Sequence, residues 1–215
     1  MSVFLAGCQY IPSVEYFVHW IHSGQLLIEG YEHYQKKSWR NKTAIIGSDT
    51  PLSLSVPLRK GKNQAKPIRD VEIAYDEPWH KIHLHSIQTA YGKTAFFEEV
   101  ETSLIEIYNA KPSKLWDLNM ILLEALKSFL RGNYQYTITG EFIPVYPLNY
   151  NDYRKGLGAG ISDLVFEKIP GYHQVQRIGK PFLGNLSILD VLCHLGPDTD
   201  AYLDQYAIQL YPTLS

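Results

Sequence analysis

Residues able to do chemistry are spread along this chain rather than gathered in one motif. His83 stands between Trp79 and Ile87 at i, i+4 and i+8 spacing, which puts the three on one helix face. Imidazole titrates near neutral pH, so a pocket-facing His83 is a candidate general acid or base. The alternative is a buried histidine bonded to backbone that fixes its helix. Lys36, Arg40 and Asn41 form a second group. Arg40 offers a planar fork for a phosphate or carboxylate, with Lys36 one helical turn before it. Asn41 can orient a polar substrate group. Against this, Arg40 can pair with Asp or Glu, and Asn41 can cap a turn. Asp190 lies four residues before His194 and can pair with it; an acid there facing His83 would orient its imidazole.

Other chemistries fit the spacing less well. His80, His83 and His85 do not share one face on either a helix or a strand, so no metal site is expected. Cys8 with His83 as base would make a nucleophilic pair. Cys8, however, sits in an apolar lead-in, and Cys193 in an apolar helix reads as core. With only 2 cysteines, neither a disulfide framework nor a zinc quartet is available. Arg59, Lys60, Lys62, Lys66 and Arg69 make a basic loop, read as solvated charge with anion steering as the alternative. Gly156, Gly158 and Gly160 lack both a preceding strand and a Walker lysine, and read as a loop rather than a phosphate cradle. No motif names a cofactor.

The elements that must position these residues come from an ordinary globular composition. The chain has 215 residues, 45% hydrophobic and 20% charged, enough for one sizeable core. A formal net charge of -2 gives no basic footprint for nucleic acid. The 16 tyrosines suit pockets and interfaces as well as cores. No apolar run approaches the length of a membrane span. Phe4-Leu5-Ala6-Gly7-Cys8 imitates a lipoprotein cleavage box without the charged start a signal needs, so a cytoplasmic location is expected.

Strands are expected at Val3 to Gln9, Gln25 to Glu29, Lys42 to Ile46, Leu52 to Val56, Val71 to Tyr75 and Tyr134 to Thr139. Ser13 can cap a helix from Val14 to His22 that Ser23-Gly24 stops. Further helices are expected at Trp79 to Tyr91, Thr94 to Tyr108, Lys114 to Leu130, Leu186 to Cys193 and Thr199 to Leu210. Strands early and helices late favour α+β: one domain over residues 1–215. A mixed or antiparallel sheet from the N-terminal half would be packed by helices from the middle and C-terminus.

Several segments, in order, resemble the WbqC-like family. They are Tyr10-Ile11-Pro12-Ser13-Val14-Glu15-Tyr16-Phe17, the stretch from His33 to Lys42 with its Arg40-Asn41-Lys42, and Leu54-Ser55-Val56-Pro57. Trp79 to Ile87, Tyr172-His173-Gln174, and Asn185 to Pro197 complete the set. Lys42 stands where arginine is commoner, and the likeness is poor between Arg131 and Pro170, so the chain resembles a short form. The resemblance implies a bacterial enzyme of surface-polysaccharide or O-antigen metabolism. The reaction would be acyl or aminoacyl transfer to a nucleotide-activated amino sugar, with His83 and Asp190 catalytic. Tyr10, His33, Lys36, Arg40, Asn41 and Gln174 would then bind substrate, with Arg40 as the anion clamp. A non-catalytic binding or assembly protein and a Cys/His-based hydrolase are the alternatives. The partner expected is a small molecule, a nucleotide sugar among the options. No sequence feature sets the oligomeric state.

Overall fold

Short runs of bulky apolar residues bounded by turn formers are what a strand buried on both faces looks like. The first such run, Val-Phe-Leu-Ala-Gly, forms strand β1 (Val3–Gly7). The computed structural model describes residues 2–61, 63, 66–155, 157 and 169–212. Helix α1 (Val14–Ser23) follows, its first turn capped by the Ser13 hydroxyl, which accepts the Tyr16 N–H at 3.3 Å. It crosses to β2 (Leu26–Glu29), which lies parallel to β1, with Phe4 opposite Leu26 and Gly7 opposite Glu29.

Strands β3 (Lys42–Ile45) and β4 (Leu52–Ser55) form a separate antiparallel pair. Helices α2 (Trp79–Tyr91), α3 (Phe97–Ala110) and α4 (Leu115–Lys127) come next. The chain then returns to the main sheet with β5 (Tyr136–Ile138) against β2 and β6 (Tyr150–Asp152) against β1. Helices α5 (Ile188–Leu195) and α6 (Thr199–Leu210) end the described order, α6 packing on α1 and α5 on α2 and α3.

The main sheet thus has the order β5-β2-β1-β6, all parallel. Together with the antiparallel pair and the helices from the middle and C-terminal parts, this is a mixed α+β architecture. Two of the four main-sheet strands come from residues 136–152 rather than from the first half. Val71, Ile73 and Tyr75, which alternate as a strand would, make only isolated bridges. Ile73 faces Leu58 while Glu72 faces Lys114, so each flank meets a different short segment and no ladder extends. One continuous apolar cluster runs from Phe4 through the helices to Ala207. Among the described residues no helix is long and apolar enough to cross a membrane. The Gly156, Gly158 and Gly160 run and Lys62 lie outside the described residues.

Candidate functional site

All four parallel strands point their carboxyl ends the same way, and the loops leaving those ends are where open parallel sheets place ligand sites. A cavity of about 750 Å³ opens here. Glu32, His33 and Lys36, just beyond β2, form one wall; Phe142 and Pro144, beyond β5, and Asp152, Arg154 and Lys155, at the end of β6, form the other. That volume suits a ligand of drug or nucleotide-sugar size. Lys36 and Lys155 are exposed on its rim, and among the described residues neither has a carboxylate within ion-pair reach.

Beneath the cavity lies a network of buried charge. Arg40 Nε and Nη2 donate to the two Glu32 carboxylate oxygens at 2.6 and 2.5 Å, a bidentate fork, and Nη2 also donates to the Arg154 carbonyl at 3.0 Å. Burial pushes the Glu32 carboxyl above its ordinary range, with Arg40 opposing the effect. This pair packs against the end of β1, where a methyl group on Gly7 would lie 2.7 Å from Glu32 Oε1 and 2.8 Å from Arg40 Nη2. Arg154 spans Asp152 (Nη2 to Oδ2, 2.6 Å), Glu29 (Nη1 to Oε2, 3.0 Å) and the carbonyls of Ile143 and Pro144 (2.8 and 3.2 Å). Its guanidinium also sits over the rings of Phe142 and Tyr146, 5.3 and 5.1 Å from their centroids. Burial raises the Asp152 carboxyl, but hydrogen bonds from Arg154 outweigh it and hold the group below its usual range. The network ties three strand ends together and fixes the Phe142–Pro144 wall.

The residues picked from the sequence fall into separate places. His33 and Lys36 line the cavity. Arg40 lies under its wall with its fork already filled by Glu32, so it is no free anion clamp; its charge balances a carboxylate in a dry site. Asn41 is buried, accepting from the Tyr34 hydroxyl at 2.9 Å and donating to the Val56 carbonyl at 3.0 Å, which is a loop-fixing role. His83 sits elsewhere, in an aromatic cluster. Its Nδ1 is 2.7 Å from Tyr10 Oη, Tyr10 also meets the Tyr108 hydroxyl, and the Trp79 ring stands edge-on to the imidazole at 5.0 Å. Burial, and less strongly His80, push the His83 imidazole down to about 4. It is therefore neutral at neutral pH, and it does not line the large cavity. Tyr10 is fully buried as its partner.

Asp190 does not face His83. It is fully buried, accepting from the Tyr172 hydroxyl and from Gln174 Nε2 at 2.8 Å, with His194 Nδ1 3.8 Å from Oδ1. Gln174 also clamps Leu183, accepting its N–H at 2.9 Å and donating to its carbonyl at 2.8 Å. These bonds tie the segment from Tyr172 to Leu183 onto α5. Cys8 is buried, and burial pushes its thiol up to about 12, which leaves no thiolate for attack at neutral pH. Among the described residues no group of three or more His, Cys, Asp or Glu is placed to hold a metal.

Sequence reasoning missed Glu29, Glu32, Asp152 and Arg154. Glu29 and Asp152 are the last residues of β2 and β6, so an acid closing a strand was the available signal. Arg154 lies in the stretch where the family likeness was weakest, and nothing local announced it.

The family model described as the WbqC-like protein family matches residues 8–146. That stretch covers β2 to β5 and the wall containing Phe142 and Pro144; Arg154 and the Asn185–Pro197 segment lie beyond it. A relative from Mycobacterium tuberculosis (strain ATCC 25618 / H37Rv), Uncharacterized protein Rv1507c, is 26% identical over 226 residues, covering 94% of this chain and 97% of the relative. No solved structure matches the chain significantly. With the model matching well over half of its length, this chain belongs to the WbqC-like protein family.

Proposed function

We propose that this protein is a group-transfer enzyme acting on an anionic, sugar-bearing small molecule, a nucleotide-activated amino sugar of surface-polysaccharide metabolism. The observation that carries the reading is the cavity at the carboxyl edge of the parallel sheet, with Lys36 and Lys155 on its rim and without a carboxylate partner among the described residues. Two ammonium groups in one mouth favour a diphosphate, and the volume leaves room for a sugar. In acyl or aminoacyl transfer, a sugar amine attacks a carbonyl, gives up a proton and expels the donor's leaving group. His33, on the cavity wall, is the side chain available to take that proton. Glu32 and Asp152, each locked by an arginine fork, shape the wall and set its field.

Calorimetric titration with UDP- and dTDP-linked amino sugars tests the reading. Binding is expected, with affinity falling at least about tenfold in a Lys36→Ala/Lys155→Ala double variant, the order of magnitude for losing charge contacts to phosphate. Absence of binding, or equal binding by the double variant, overturns it. Mass spectrometry for acylated sugar then distinguishes an enzyme from a binding protein.

A second reading, a non-catalytic assembly protein, is favoured by one feature. Phe142, Val145 and Leu148, beside the cavity, are 50%, 82% and 104% exposed, an unusual density of bare apolar side chains. Co-purification of a stoichiometric partner that is lost in Val145→Glu/Leu148→Glu, with no turnover of nucleotide sugars, would support it over the first.

A further inference from the structure

Arg69 was grouped by sequence with a solvated basic loop, and its surroundings are of a different kind. It lies in a short 3-10 turn, Ile68–Asp70, with its guanidinium carbon 4.6 Å from the centroid of the Tyr31 ring and 4.9 Å from that of the Trp116 ring. The backbone of Gly30 backs it: a methyl group there would lie 2.5 Å from Nη2 and 3.0 Å from Nε. Two rings and a bare backbone therefore hold the guanidinium plane in place. Yet among the described residues none of its N–H groups has a hydrogen-bond acceptor, and Nε is buried without a partner. The other inward arginines each have acceptors: Arg40 has Glu32, Arg154 two carboxylates and two carbonyls, and Arg177 the carbonyls of Pro181, Ser48 and Asp49.

A buried donor without an acceptor is a cost that folds avoid unless something else supplies the acceptor. The two rings cover the guanidinium faces and Gly30 closes the Nε side, which leaves the terminal amino groups as the donors for a tetrahedral oxyanion. Lys66, three residues before Arg69, adds positive charge on the same segment, whereas Lys114, 3.5 Å from the Asp70 carbonyl, is paired with Glu72 at 3.8 Å. Tyr31 directly precedes Glu32 of the cavity wall, so the loop holding Arg69 also forms that wall, although Arg69 does not line the cavity. We propose that Arg69, held between Tyr31 and Trp116 over Gly30, is a phosphate-binding residue, taking the anion-clamp role that the sequence suggested for Arg40.

The test is a titration of the 15N-labelled full chain with inorganic pyrophosphate, followed through the arginine Nε–H resonances and tryptophan fluorescence. The Arg69 Nε–H signal is expected to move saturably, with a fluorescence change that Trp116→Phe removes. Arg69→Lys, which keeps the charge and loses the fork, and Arg69→Gln are each expected to weaken binding at least about tenfold while melting cooperatively near the parent temperature. An unmoved Arg69 signal, or parent affinity in both variants, overturns the proposal. The Lys36→Ala/Lys155→Ala variant separates this inference from the functional reading. Affinity lost there and kept in the Arg69 variants places the phosphate in the cavity and sinks the Arg69 site. Affinity lost only in the Arg69 variants upholds it, whether or not nucleotide sugars enter the cavity.

Discussion

Arg154 carries five N–H donors, and the fold uses all of them, on Asp152, Glu29 and the carbonyls of Ile143 and Pro144. Removing it strands the fully buried Glu29 without its counter-charge. Arg154→Met is expected to lose about 3–5 kcal/mol in urea denaturation, because the remaining ion has neither water nor a partner. A loss below about 1 kcal/mol would mean that Glu29 finds another cation or neutralises cheaply. His83 makes a pH prediction. Its imidazole sits at about 4 in the fold against 6.5 ordinarily, so the unfolded chain takes up the proton first. Its contribution is full above the ordinary value and is lost as pH falls through about 4, some ~3 kcal/mol over that window at roughly 1.4 kcal/mol per pH unit. Stability measured at about pH 7 and about pH 4 should therefore show a shallower acid limb in His83→Gln than in the parent, by about that amount; parallel limbs would refute the account. Singly, these residues were only half legible. Sequence spacing found His83 but not Tyr10 Oη as its partner, and found Arg40 but not the Glu32 that fills its fork. Both partners come from segments that local periodicity does not connect.

At the scale of elements, legibility tracked locality. Helix α2 starts and ends where the Trp79 and Tyr91 pattern placed it, and Ser13 caps α1 as its type and position suggested. Ser13→Ala should cost about 1 kcal/mol of stability through the lost bond to the Tyr16 N–H, readable as a lower denaturation midpoint with unchanged slope. Strand β6, by contrast, is Tyr-Asn-Asp, with no apolar alternation, and exists because Val3, Phe4 and Leu5 present it a ladder. Its pairing is non-local, so a window of sequence holds no sign of it. The end of β1 gives a sharper test of how elements set the site. Gly7→Ala puts a methyl group onto the Glu32–Arg40 pair and should cost about 1–3 kcal/mol by overpacking. It should also weaken ligand binding at the cavity, because Glu32 belongs to the wall; a variant with parent stability and affinity would show that the pair shifts freely.

At the scale of the molecule, the site is a property of the sheet's polarity. Four parallel strands deliver their carboxyl ends to one edge, and with them the carboxylates that close β2 and β6. No stretch of sequence states that polarity, because it depends on which strands pair. His33 and Lys36 were therefore found as residues without the cavity they border. The same edge exposes Val145 and Leu148. Val145→Glu/Leu148→Glu should leave the unfolding free energy within about 0.5 kcal/mol, since these side chains bury little. The substitutions should lower any concentration-dependent association seen by sedimentation; a large loss of stability would mean that the two side chains pack more than their exposure indicates.

The order of the strands also has a consequence in time. β1 and β2 leave the ribosome before β5 and β6 and can join each other, but the outer edge of each must wait for Tyr136–Ile138 and Tyr150–Asp152 to be synthesised. Until then the nascent chain displays two unpaired apolar margins, the condition under which β-ribbons stick to one another. Yield during expression should depend on holdase chaperones and on slow translation of the N-terminal third, and chains truncated before Tyr136 should aggregate rather than fold.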